Sequence, residues 1–331
     1  MSKVGSSILE TYNQWQEKMK KIIPPVKKKL FGMNMSDGIL YKVATYLVLI
    51  IFGFVFLYPI IYMFSVSLMS NLDLVDNSIE WIPSSFYTFN YEMTWKALKL
   101  PGSYLTTILL AGTSTLCVII SSAIIGYGLA RFDFRGKNLV FILMIFTYIV
   151  PKTLFFIPRF QIFTELGLKG NIGALAVPAL TGQGEQAALF ILIFFQFFRM
   201  MPSALEEAAY LDGAGPIRTF LTIALPMVGP AFIIVGVYAF ALYWNETFLT
   251  SFYLDGKMQT VPILLGDIQE SFGQVAQSSG GGDFDKNPNM NFTEAKAFAG
   301  TLISILPLAL MYLVVQRWFV ESIDKSGITG E

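Results

Sequence analysis

From Val43 to Leu72 the chain carries no charged side chain, and the same holds from Leu100 to Ala130, from Thr219 to Trp244 and from Ala297 to Gln316. A helix needs about 20 apolar residues to cross a hydrocarbon core of about 30 Å, and only helices and closed barrels satisfy their backbone groups there. Runs of this length are ample for spanning helices, and the expected fold is an all-α membrane protein. Asn138 to Pro158 is a further candidate, interrupted only by Lys152, which sits near enough to the end of the stretch to snorkel. Composition agrees: of 331 residues, 54% are hydrophobic and 14% charged, where an average soluble domain has roughly a quarter charged. The apolar run from Val43 is too long for a signal-peptide core and no small-residue cleavage pattern follows, so it reads as a retained first span.

Asn171 to Phe198 is harder, because Glu185 stands between two apolar pieces beside Gly182 and Gly184. A bare carboxylate at mid-membrane is costly, so it must face protein, water or an interface. The expected arrangement is a short helix from about Ile172 to Leu180, a glycine-rich break, and a span from Gln186. The total is then six transmembrane helices. They make up a spanning domain over residues 43–320, between a basic amino-terminal tail (1–42) and a carboxyl-terminal tail (321–331). Within the first tail, Trp15 to Ile23 fits an amphipathic helix on the membrane surface, ended by Pro24-Pro25, with a plain solvated tail as the alternative.

Lysine and arginine in short loops set the orientation. The amino-terminal tail is lysine-rich, the turn after the second span holds Arg131, Arg135 and Lys137, and the turn after the fourth holds Arg199 and Arg218. Arg317 and Lys325 follow the last span, whereas Asp73, Asp76, Glu80 and Glu92 follow the first. Both termini are therefore expected in the cytoplasm.

Several chemistries are excluded. The chain has no histidine and one cysteine, Cys117, so it can build neither a structural zinc site nor a histidine-based triad. The formal net charge is +0, giving no global field for nucleic acid. There is no Gly-x-x-x-x-Gly-Lys-Ser/Thr phosphate loop, so ATP is not hydrolysed on this chain. The expectation is a transport subunit with no catalytic residue, no bound metal and no cofactor of its own.

Between the fourth and fifth spans, Glu206-Glu207-Ala208-Ala209 leads to Asp212-Gly213-Ala214-Gly215 and on to Ile223 and Leu225-Pro226. Ser203 with Glu206 three residues on has capping-box spacing, and both glutamates lie in a first turn where the helix dipole favours anions. Gly213 and Gly215 supply a turn before a second helix begins near Pro216. The spacing predicts a helix–turn–helix elbow over 203–226, with a small face at Ala204, Ala208 and Ala209.

Glu207-Ala208-Ala209, Asp212-Gly213-Ala214, Ile223 and Leu225-Pro226 resemble, position by position, the EAA loop of binding-protein-dependent ABC importer permeases. Tyr127 to Phe132, with Phe134 to Lys137, resembles a cytoplasmic turn of the same family, and Leu166 to Gly173 resembles an outer loop. Trp244-Asn245-Glu246 is similar to the end of the fifth span in the carbohydrate-uptake, maltose-permease-like branch. The tail Val320 to Gly330 is similar to that branch too, except that Ser322, Ser326 and Thr329 depart from it. The resemblance implies a type I ABC-importer permease fold with a cytoplasmic coupling helix, in the bacterial cytoplasmic membrane. It also implies a second permease as heterodimer partner, two ATPase subunits carrying ATP and Mg, and an extracytoplasmic solute-binding protein. Glu206, Glu207, Ala208, Ala209, Asp212, Gly213, Ala214 and Pro226 would form the ATPase-coupling surface. The substrate would be a sugar, an oligosaccharide by preference, passing along a pathway of which this chain forms half.

Candidate pathway residues are Glu185, Tyr238, Tyr243, Trp244, Asn245 and Glu246: aromatic faces suit a sugar's C–H face, and the polar groups suit its hydroxyls. Each has a plainer reading as an interfacial aromatic or a helix cap. Asp255 to Lys296 is long for a bundle connection. Its Ser278-to-Gly282 stretch reads as flexible, and by resemblance the loop would probe the solute-binding protein. The rival reading is an ion-driven secondary transporter, which needs ionisable groups within spans; only Lys152 and Glu185 come near that.

Overall fold

Proline and glycine decide where these apolar stretches bend. The computed structural model describes residues 38–278 and 291–327. The amphipathic segment around Trp15, the glycine tip at 280–282 and the end of the carboxyl tail lie outside the described residues. The chain falls into two units divided after Ser65. In the first lies nearly all of α1 (Ile39–Ser67), one uninterrupted helix with Pro59 inside it.

The second unit opens with a short helix, Asn71–Val75, closed by a capping box between Ser70 and Asp73. Asp73 also accepts a hydrogen bond from Ser84 Oγ at 2.5 Å. That bond is the main reason its carboxyl titrates below the usual range, with the Ser70 bonds adding to it and burial opposing. A depressed folded-state value contributes stability above the ordinary carboxylate pKa of about 4, and this is lost as pH falls through the lower value. Amide protection at Ser70 and Asp73 by hydrogen exchange should therefore be full at pH 6 and fade below about pH 4. Asp73→Asn should lower it and flatten the profile.

Helices α2 (Phe89–Ala97) and α3 (Gly102–Arg131) follow, then α4 (Lys137–Ile149), α5 (Phe156–Glu165), α6 (Gly173–Leu180), α7 (Ala187–Met200) and α8 (Ser203–Leu211). A segment from Pro216 to Met227, with a π turn at Phe220–Ala224, leads into α9 (Gly229–Trp244). The rest comprises α10 (Phe248–Leu254), α11 (Val261–Gly266), α12 (Ile268–Ser278) and α13 (Glu294–Gly327). Helix α3 is the hub, packing against α6, α7 and α9. Its buried face carries small residues, among them Ala111, Ser114, Ser122 and Gly126, which let backbones approach without relying on the hydrophobic effect. At Gly126 an added Cβ would lie 2.8 Å from Phe194 Cβ and 3.0 Å from the Phe195 nitrogen. Phe190, Phe194 and Phe198 from α7, with Val235 and Ala239 from α9, complete this core.

Among the described residues three helices are long and apolar enough to cross a membrane unaided, and the number rises to as many as six if each of three bent pairs counts as one span. Two of the bends fall where prolines interrupt the apolar stretches. Asn138–Pro158 is not one straight span: α4 and the residues from Lys152 onward meet at 94°. Pro151 explains this, since it disfavours the helical region for Val150, which is extended. Thr219–Trp244 likewise bends by 76° at Val228, between Pro226 and the Gly229-Pro230 pair. The fourth span follows expectation: α6, a break with Gly182 at φ +74°, then α7.

The region Asp255–Lys296 departs most from the expected loop. Val261, Leu264, Ile268 and Phe272, from α11 and α12, bury against Met93, Ala97 and Leu98 in a separate apolar cluster. Here the side chains repeat at helical spacing and build a cap over α2, which short length and polar neighbours obscure in the sequence.

Candidate functional site

The elbow is the better-defined of two candidate sites. Pro202 occupies the N-cap of α8, extended, with no side-chain cap bond. The expected Ser203 cap is thus absent: Ser203 is already the first helical residue. Glu206 does not turn back to the helix start either. It is 7% exposed, accepts a bond from Tyr127 Oη at 3.0 Å and pairs with Arg131 Nε at 3.3 Å. Arg131 Nη2 also donates to the Met201 carbonyl at 2.5 Å. One guanidinium at the end of α3 therefore holds both the entry and the first turn of α8. Tyr127 is wedged between the rings of Phe132, Phe198 and Phe220.

At the far end of α8 the chain reverses through Gly213 at φ +81°, with the Ala214 amide donating to the Ala209 carbonyl at 2.9 Å. That conformation suits glycine because a Cβ would be strained there. Gly215 is extended and Pro216 opens the next helix, the position where its missing N–H is harmless. Ala209 is buried, while Ala204, Leu205, Glu207, Ala208, Leu211 and Asp212 are exposed. Leu211 is 90% exposed. The elbow thus presents an apolar strip flanked by Glu207 and Asp212. Ala214 is half-buried in the turn, and Pro226 lies beyond, at the start of the bent span.

The second site is a cleft of about 510 Å³ between the α4–α5 bend and the α6–α7 break, reached by Phe146, Tyr148, Lys152, Arg159, Gln183 and Gln186. The two charges that interrupt the apolar stretches meet here: Lys152 Nζ lies 3.2 Å from Glu185 Oε2. Lys152 therefore pairs within the protein rather than snorkelling.

The remaining pathway candidates divide. Tyr243 and Trp244 are each 1% exposed and belong to the core. Tyr238 is exposed, its ring set edge-on against Phe190. Asn245 Nδ2 bonds the Ala241 carbonyl at 2.8 Å, and Glu246 Oε1 accepts from the Leu249 amide at 2.5 Å, opening α10. These two act as helix-end groups here. Arg131, which the sequence marks by orientation and by the family-like turn, proves to anchor the elbow, and Arg159 joins the cleft with Tyr253 in a small recess behind it. The clearest available signal was an arginine lying well inside an apolar region.

Residues 119–325 match the family described as "Binding-protein-dependent transport system inner membrane component". The chain is 26% identical over 258 residues to a melibiose/raffinose/stachyose import permease protein of Bacillus subtilis (strain 168), covering 77% of this chain and 86% of that protein. It is 24% identical to a trehalose/maltose transport system permease protein of Thermococcus litoralis, over 90% of this chain and 100% of the relative. Among solved structures, a bacterial ABC transporter involved in the import of the acidic polysaccharide alginate superimposes with a TM-score of 0.68. That match has 23% identity and covers 85% of this chain and 96% of the other.

Proposed function

The chain belongs to the family of binding-protein-dependent transport system inner membrane components, and from that premise we propose that it is the permease subunit of an ATP-driven oligosaccharide importer. Saccharide as the substrate class is supported by the relatives, which include import permeases for melibiose, trehalose, maltose and arabinooligosaccharides. The observation that carries the coupling role is the elbow, whose exposed strip is free while its other side is keyed to α3.

In this reading the subunit lies in the bacterial cytoplasmic membrane with both termini in the cytoplasm. It pairs with a second, different permease, two ATPase subunits binding ATP and Mg, and an extracytoplasmic solute-binding protein. The chain itself carries no catalytic residue and no cofactor. Glu207, Ala208, Leu211 and Asp212 dock on the ATPase, Gly213 shapes the turn, and Glu206 holds the element in place. Closure of the ATPase pair draws the two elbows together, and α3, gripped through Arg131, moves with α8. Rigid-body rocking between two global states then opens the pathway to the opposite side. Glu185, Tyr238, Asn245 and Glu246 lie along or near that route, with Tyr243 and Trp244 forming its wall.

The test is co-purification from detergent-solubilised native membranes. An ATPase, a second permease and a solute-binding protein should accompany the wild-type chain. Glu207→Lys or Gly213→Asp should lower ATPase recovery and transport at least about tenfold, the equivalent of 1.4 kcal/mol. Isolation of the chain alone, under conditions where other membrane complexes survive, would sink the reading in favour of an ion-driven transporter.

A further inference from the structure

Arg159 lies in α5, half-buried, and lines both the large cleft and a small recess behind it. Among the described residues it makes no hydrogen bond or ion pair. A guanidinium cannot shed its proton, and an unpaired charge within apolar spans is costly. Glu185, which also lines the recess, pairs with Lys152, and Glu246 accepts from the Leu249 amide. Two walls of the recess are Tyr243 and Tyr253, each 1% exposed. Their hydroxyls find no hydrogen-bond partner among the described residues.

Lys152 balances the Glu185 charge, so Arg159 leaves the site with one net positive charge, a guanidinium fork and two phenolic O–H groups beside it. A carboxylate accepts only, and pairs with arginine through two parallel bonds roughly twice as strong as neutral ones. The sizes also fit. The recess has room for about one water-sized group, which suits a carboxylate oxygen, while the cleft of about 510 Å³ has room for sugar rings. We propose that the cleft binds an acidic saccharide, its carboxylate held by Arg159 with Tyr243 and Tyr253 as further donors. The inference rests on the saccharide-permease reading and narrows its substrate to the uronate type. A phospholipid headgroup offers the same anionic oxygens, and the experiment separates the two.

The assembled complex, in nanodiscs of phosphatidylcholine, is titrated with trigalacturonate and with its fully methyl-esterified, uncharged form. Wild type should bind the acid at least about tenfold more tightly than the ester, the value of one charge-assisted pair. Arg159→Gln should erase that preference, and Arg159→Lys, which keeps the charge without the fork, should retain part of it. Equal binding of acid and ester by wild type, or an undiminished preference in Arg159→Gln, overturns the proposal. So does loss of acid binding only when phosphatidylglycerol is added, which marks the cleft as a lipid site. ATPase co-purification is scored on every sample, so a failure of the permease reading shows as a missing ATPase and not as a lost preference.

Discussion

Arg131→Ala should reduce ATP-driven uptake by two orders of magnitude or more while leaving α3 itself helical. The substitution removes the partner of Glu206 and the donor to the Met201 carbonyl together. Glu206 would remain buried with a carboxylate held only by Tyr127. Breaking a buried pair from one side costs about 3–5 kcal/mol, because the surviving charge is left uncompensated. The protein relieves that cost by letting α8 swing outward so that Glu206 reaches water, and the elbow no longer follows α3. Arg131→Lys should fail nearly as badly, since an ammonium on a flexible stem cannot serve a carbonyl and a carboxylate at fixed angles. The double exchange Arg131→Glu with Glu206→Arg should recover part of the uptake, a rescue that loss of packing alone would not give. Wild-type uptake by Arg131→Ala would show that the elbow does not depend on this anchor.

Gly126→Ala should lower the melting temperature of the solubilised protein by several degrees, although alanine is the better helix former by about 1 kcal/mol. The new methyl would press on Phe194 Cβ and on the α7 backbone at Phe195 and Ile191. None of these is the free end of a flexible side chain, so the two helices must separate, and overpacking of this kind costs about 1–3 kcal/mol. Gly128→Ala is the internal control. It lies in the same helix with no atom within 4 Å of its added Cβ, so it should be neutral or slightly stabilising. If both substitutions shift the melting temperature alike, close packing at Gly126 is not what holds α3 to α7. Gly126→Leu should prevent assembly.

Much of this architecture is legible in the residues. Charge-free stretches fix the spans because a lipid solvent tolerates little else, and the break at Gly182–Gly184 announces itself through Glu185. The elbow is readable because its turn needs glycine at Gly213. What escapes is set by distance along the chain. Arg131 and Glu206 pair across the turn of a different helix, and Lys152 finds Glu185 through two bends. The bends at Val150 and Val228 were signalled by prolines, yet a proline in a membrane helix is often absorbed by neighbours, so its angle depends on packing. The α11–α12 cap was hidden because its apolar positions are spread over two short helices. The aromatic pathway candidates misled in part: at Tyr243 and Trp244 the rings that suit a sugar face serve equally well as core.

Glu206 and Glu207 are adjacent in sequence and look in different directions, one gripped by α3 and the other open to solvent. Neighbouring helix positions are separated by about 100° of rotation, so the two roles are kept apart by phase alone. Deleting a single residue between Pro202 and Glu206 would turn the helix by that angle, bringing Glu207 to the inward position and Glu206 to the exposed one. The anchor would be offered to the partner, and the exposed carboxylate would be pressed against α3. The composition of the elbow would hardly change under such an edit. Its tolerance to substitution and its tolerance to length are therefore different properties, the second set by helical phase and not by which side chains are present.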